Sequence, residues 1–324
     1  MRENTMLTIS PADLNFIGTD IQRGECILAT RSGQLYLPDK RGGVNIVSPD
    51  GRTERIVAQG SPMDFMPNGI ALLPDRSFLM ADLGPGGGVY HMTRDGVIKP
   101  HLTQVDGSPL EPTNFVGIDS KSRIWISVST RKVPREKSMK KNHADGYLIL
   151  KDQQGARIVA EGLGFTNEAI VDPTGKWLYV NETFARCTSR FRISDDGSLG
   201  PKEVFAQYGP GTFPDGLTFD SEGAVWIVSV VSNRVIRTTL NGNQHIILED
   251  ADSAALTAVE AAYQDGSFTR QHLDSGGQRR LGNLSGISFG GIDLKTVYLA
   301  SLFGNQVASF RSPVAGAPPV HWNF

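Results

Sequence analysis

Short apolar runs recur along the chain, each followed by a turn and then by a second run that carries an aromatic residue. The copies read ECILATRSGQLYL from Glu25, NGIALLPDRSFLMAD from Asn68, NFVGIDSKSRIWISV from Asn114, NEAIVDPTGKWLYVNE from Asn167, DGLTFDSEGAVWIVSV from Asp215 and SGISFGGIDLKTVYLAS from Ser285. Runs such as IWIS, WLYV, VWIV and VYLA have the composition of strands buried between packed sheets. DPTGK and DSEGA are turn sequences in which Gly supplies positive φ. The copies start 43, 46, 53, 48 and 70 residues apart, and a four-stranded propeller blade takes about 40–50 residues. The pattern therefore predicts an all-β fold, a single six-bladed β-propeller domain over residues 1–324. A β-sandwich or two smaller β domains would fit less well, because no linker-like change of composition separates the copies. The long last spacing coincides with DADSAALTAVEAAYQDGSFTRQHLDSGGQ, in which AALTAVEAAY predicts a helical insertion.

The first residue of each copy is polar: Glu25, Asn68, Asn114, Asn167, Asp215 and Ser285. Equivalent positions of successive blades converge on one axis, so the register predicts a ring of oxygen-bearing side chains at one mouth of a central channel. Two carboxylates in such a ring repel unless a cation lies between them or one takes a proton. Carboxylates and amide carbonyls are hard ligands, which suits one divalent cation: calcium first, with zinc, manganese, magnesium and iron(II) also open. For any one copy, an Asn or Asp before a strand is ordinary turn chemistry; the ring argument rests on six occurrences in one register.

Composition narrows the setting. The formal net charge is −2 and apolar residues make up 39%, which gives no global reason to expect binding to nucleic acid or an anionic membrane. Two cysteines, Cys26 and Cys187, predict reduced buried thiols. No apolar run approaches the length of a membrane span, and the N-terminal residues lack the pattern of a signal peptide; the expectation is a cytoplasmic protein acting on a small molecule. The segment STRKVPREKSMKKNHADGY holds six basic residues, Arg131, Lys132, Arg135, Lys137, Lys140 and Lys141. It reads as a loop over residues 131–146 on the metal-bearing face, either a solvated connection or a lid. There is no Gly-x-Ser-x-Gly elbow and no His-Glu-x-x-His motif.

The segments FPDGLTFDSEGAVWIV and SGISFGG…VYLAS, with the order Glu, Asn, Asn, Asp along the chain, resemble the SMP-30/gluconolactonase/LRE family. The resemblance implies a six-bladed propeller with one axial divalent cation. It implies Glu25, Asn167 and Asp215 as metal ligands, and Asn114 as a further ligand or neighbour that touches substrate. The family pattern GEGP reads GECI here, its Asn-Asp reads Asn114-Phe115, and its Asn-Gly reads Asn167-Glu168. Phe115 and Cys26 in these places predict a mouth more apolar than one built for free aldonolactones, with Asn68 and Glu168 left to hydrogen-bond substrate.

The leading functional expectation is a metal-dependent hydrolase that opens a lactone or related cyclic carbonyl compound. The cation would polarise the carbonyl, and Asp215, or else Glu168, would orient or activate water. Hydrolysis of another activated ester, a phosphotriester or a cyclic diketone on the same site is the second reading. A non-catalytic calcium-binding propeller is the third.

Overall fold

The computed structural model describes residues 8–324. Six four-stranded antiparallel sheets follow one another along the chain. Their innermost strands are Leu28–Ala29, Pro67–Leu72, Thr113–Ile118, Thr166–Val171, Thr212–Phe219 and Leu284–Gly290. Each of the six sequence repeats thus opens one blade. Neighbouring inner strands lie side by side, and the arrangement is a six-bladed propeller.

The sixth blade is completed from the other end of the chain. Its outermost strand is Asn15–Ile17, paired antiparallel with Val307–Arg311 through Asn15 opposite Ser309 and Ile17 opposite Val307. This clasp closes the ring, so the first and last blades leave no open seam. A three-residue strand carries too little periodicity to be read from sequence.

Local chemistry repeats from blade to blade. In the turn after the third inner strand, Asp119 accepts the backbone N–H of Lys121 and Arg123 through Oδ1, and the indole N–H of Trp125 through Oδ2 at 2.9 Å. Asp220 does the same for Glu222, Ala224 and Trp226. One carboxylate therefore sets the hairpin and orients the large aromatic side chain of the next strand.

Glycines let the inner strands approach one another at the axis. A Cβ on Gly216 would stand 2.6 Å from the Ser285 carbonyl oxygen, and one on Gly286 would stand 2.9 Å from the Glu25 carbonyl oxygen. Backbone cannot give way at such distances, so these two positions fix how tightly blades 5, 6 and 1 converge.

The predicted insertion is helical: α1 spans Ser253–Asp265 and α2 spans Arg270–Asp274. Asp252 caps α1 by accepting the Ala255 N–H at 2.8 Å. The insertion is anchored by an aromatic cluster in which Phe184 meets Phe165, Phe213 and Phe268 edge-on. The Arg186 guanidinium lies 3.6 Å from the Tyr263 ring centroid and pairs with Glu260 at 2.8 Å. Met139, from the basic loop, enters the same buried cluster as Tyr263 and Leu273. The loop and the insertion therefore share one core, and Lys141 donates to Gln264 on α1 at 2.8 Å.

Candidate functional site

All six ring positions are buried. Their side chains divide into those that are engaged and those that are not. Asn68 is engaged at both ends: its Nδ2 donates to the Asn114 carbonyl at 2.8 Å and its Oδ1 accepts from Arg23 Nη1 at 2.8 Å. It ties blades 2 and 3 together and positions an arginine, and it has no free oxygen for a cation.

The other five leave an oxygen without a hydrogen-bond partner: Glu25 Oε2, Asn114 Oδ1, Asn167 Oδ1, Asp215 Oδ1 and Ser285 Oγ. Buried oxygens are seldom left so, and five in one ring point to a missing positive partner. The orientation of Asn167 is set from below. Its Nδ2 donates to Thr183 Oγ1 at 3.1 Å, and that hydroxyl donates onward to the Pro214 carbonyl at 2.8 Å. Asn181 holds the Asp215 carbonyl at 2.8 Å. Repeat register did not reveal Thr183 and Asn181, because Asn181 lies on the second strand of blade 4 and Thr183 in the turn just after it.

The electrostatics agree with the count of oxygens. Burial pushes the Glu25 carboxyl up to about 7, with Arg23 pulling it back. Burial, and then the charge of Glu25, hold Asp215 well above the ordinary carboxylate range. Burial together with Glu25 and Asp215 does the same to Glu168. Three carboxyls in one dry place resist ionising together, which is the situation a divalent cation relieves. Among the described residues, no group of three or more His, Cys, Asp and Glu side chains is gathered as a metal cluster. The donor set here is instead two carboxylates and two amide carbonyls, all oxygen, and it fits a hard cation.

Cys26, Phe115 and Glu168 follow the ring residues in blades 1, 3 and 4, where blades 2, 5 and 6 have Gly69, Gly216 and Gly286. Their side chains occupy the layer beneath the ring. Cys26 Sγ accepts the Ile70 N–H at 3.2 Å. The Phe115 ring lies against Gly69 and Gly117. Glu168 Oε2 accepts the Leu217 N–H at 2.9 Å. All three line a cavity of about 360 Å³ that runs down the channel past Ile70, Ile118 and Ile170 to the segment Ala317–His321 at the opposite face. The apolar surface expected of Phe115 thus exists, but it lies along the channel, away from the unpartnered oxygens. Burial, with Glu25 and Glu168 adding to it, raises the Cys26 thiol well above its usual range, which suits a structural thiol and not a nucleophile.

The opposite side of the ring is charged. Arg23 reaches Asn68. Arg135, from the basic loop, feels the charges of Glu25, Arg23 and Arg270, so the loop brings a side chain within range of the ring. His143 Nε2 stands 2.9 Å from Asp145 Oδ1. Among the described residues no helix is long and apolar enough to cross a membrane.

A family profile described as the SMP-30/gluconolactonase/LRE-like region matches residues 23–255. A 6-deoxy-6-sulfogluconolactonase of Pseudomonas putida is 23% identical over 225 residues, covering 68% of this chain and 65% of that enzyme; the match thus spans less than two thirds of the relative. Among solved structures, a gluconolactonase of Xanthomonas campestris superposes with a TM-score of 0.67 at 17% identity, covering 93% of this chain and 89% of that one. A calcium-binding protein, regucalcin, of Agrobacterium tumefaciens gives a TM-score of 0.68 at 17% identity, covering 96% and 97%. The propeller is common to the two solved structures, and the profile spans most of the chain, including Glu25, Asn114, Asn167 and Asp215, so the chain belongs to the SMP-30/gluconolactonase/LRE-like family.

Proposed function

We propose that this protein is a metal-dependent hydrolase that opens a lactone ring. The observation that carries the proposal is the set of buried, unpartnered oxygens on Glu25, Asn114, Asn167 and Asp215, converging from four blades. These four residues would hold one divalent cation, calcium first. When bound, such a cation supplies Lewis-acid polarisation of a carbonyl and draws electron density from the ring ester oxygen.

The chain's own groups do the rest. Asp215 is held by its backbone carbonyl to Asn181 and presents a free Oδ1 to the axis; it orients the attacking water and takes its proton. Asn114 keeps its backbone fixed through Asn68 and leaves its Oδ1 to the cation or to substrate. Glu168 stands beneath the ring with one oxygen bound to the Leu217 N–H. Burial and two neighbouring carboxyls push its carboxyl well above the ordinary range, which leaves Asp215, next to the cation that favours its ionised form, as the base and Glu168 as a hydrogen-bonding group below it. Family membership and the name of the lactonase relative support the reaction class.

Proton release on a panel of lactones, measured with calcium, manganese or zinc and after chelation, tests the reading. The expected result is turnover that chelation abolishes and metal restores. A cation that stabilises the protein without any lactone being opened would instead make it a binding propeller.

A further inference from the structure

Three arginines from separate parts of the chain lie within range of one another's charge, one of them bonded to the ring residue Asn68. Arg23 precedes the first blade, Arg135 belongs to the loop between the second and third strands of blade 3, and Arg270 begins α2 of the insertion. Each acts on the others electrostatically: Arg135 feels Arg23 and Arg270, and Arg23 feels Arg270. Like charges gather this way only when something holds them.

What holds them leaves their donors free. Arg23 sits in the left-handed backbone region at φ 56°, and the partner of its Nη1 is the neutral amide oxygen of Asn68. The Arg135 guanidinium lies 4.7 Å from the centre of the Phe165 ring. Packing against a ring leaves a guanidinium's in-plane N–H groups for other acceptors. Its Nε and Nη1 are buried and have no partner. Arg270 gives Nε to both oxygens of Asp274, at 2.9 and 2.8 Å, and its Nη groups bond to nothing among the described residues. No carboxylate oxygen among the described residues lies within 4 Å of Arg23 or Arg135.

Glu25 and Asp215 do not settle this charge. Once they hold a divalent cation their charge is spent on it, and the arginines remain as a positive surface facing substrate. We infer that Arg23, Arg135 and Arg270 form an anion subsite that receives a phosphate, sulfonate or carboxylate group carried by the lactone substrate. The inference rests on the lactonase reading, because it places the anion on the molecule whose ring meets the metal. It differs from the sequence expectation of an apolar substrate, which rested on Phe115 and Cys26; those side chains line the channel below, and the mouth above is cationic. A tetrahedral oxyanion, with three outward oxygens, makes the fullest use of three converging guanidinium groups.

Calorimetry on the full-length, calcium-loaded protein tests the subsite apart from turnover. The probes are D-gluconate, D-glucarate and 6-phospho-D-gluconate. Wild type is expected to bind 6-phospho-D-gluconate at least tenfold more tightly than D-gluconate, with D-glucarate between them. The advantage should shrink as sodium chloride rises from 50 to 500 mM. Arg135→Gln and Arg23→Gln should each bring the ratio below threefold, and Arg135→Lys should restore part of it. If Arg23→Gln does not fold, the two Arg135 variants decide. Equal binding of gluconate and 6-phosphogluconate by wild type, or an unchanged ratio in folded Arg135→Gln, overturns the subsite. Hydrolysis of D-glucono-1,5-lactone and D-glucaro-1,4-lactone is measured separately. Arginine-dependent anion binding without hydrolysis of either lactone keeps the subsite and removes the lactonase reading; hydrolysis with no anion preference in binding does the reverse.

Discussion

The two ends of the central channel are built from the same six inner strands and share almost no chemistry. At the upper end stand five unpartnered oxygens, two of them on carboxylates, with Arg23 bonded to the sixth ring residue, Asn68. At the lower end a cavity of about 360 Å³ is walled by Ile70, Leu72, Ile118 and Ile170 and closed by Ala317–His321. The ring of the half-buried His321 is turned inward there, and its desolvation lowers its pKa to about 4, so it stays neutral. The change occurs over one or two residues of each strand: Glu25 gives way to Cys26, Asn114 to Phe115, Asn167 to Glu168. A propeller converts a small step along each inner strand into a change of layer around the whole axis. On the proposed reading, the chemistry belongs to the mouth and the channel below is mainly apolar wall.

If that division holds, the largest effects come from the ring. Glu25→Gln and Asp215→Asn each remove a metal-binding charge and are expected to lower kcat/KM for lactone opening by at least about a thousandfold, on the scale of losing a principal catalytic group. Both should also abolish the rise in Tm on adding calcium. A variant with normal turnover would show that the unpartnered oxygens are not the catalytic centre.

The layer below should answer in stability and not in rate. Phe115→Ala removes a buried ring from between blades 2 and 3 and is expected to cost about 3 kcal/mol in chemical denaturation, typical of Phe truncation in a core. Among folded molecules, kcat/KM for D-glucono-1,5-lactone should change less than tenfold. A large loss of rate at unchanged stability would place Phe115 against substrate and extend the active site into the channel.

The pH dependence of the metal-free protein separates the two ends again. Glu25 is raised from an ordinary value near 4.5 to about 7, so between those values the folded state keeps a proton that the unfolded state has released. Stability of the chelated protein should then fall as pH rises from about 4.5 to about 7. A divalent cation favours the ionised form, so its stabilising effect should grow over the same interval. Scanning Tm from pH 4.5 to 8 with and without calcium measures both. A gap between the two curves that does not widen with pH would mean that Glu25 is not a ligand.

Glu168 should give the smallest effect. Its position in the lower layer and its protonated state make Glu168→Gln nearly isosteric with the native group, and kcat/KM should fall less than tenfold. A thousandfold fall would transfer the role of base from Asp215 to Glu168.

Much of the fold was legible because its signals are local. Six hairpins carry their own turn residues, as Asp119 and Asp220 show by setting both a turn and a following tryptophan. AALTAVEAAY favours helix within its own length, and α1 forms there. The clasp strand Asn15–Ile17 was not legible, since its pairing with Val307–Arg311 is defined only when the ring closes. The candidate ring was legible because equivalent positions of a repeat must meet at the axis. What each member does was not. Asn68 and Asn114 look alike in sequence, yet one has both ends of its amide engaged and the other keeps a free oxygen.

The sequence by itself thus determined the number of blades, the register of the ring and the oxygen chemistry of its members, all of which follow from turn residues and a repeated period. Only the tertiary structure decided which oxygens remain unpartnered, that Phe115 turns along the channel, and that Arg23, Arg135 and Arg270 come within range of one another's charge. These are contacts between segments more than a hundred residues apart or in different blades, and a charge or a ring acquires such neighbours only when the propeller closes around them.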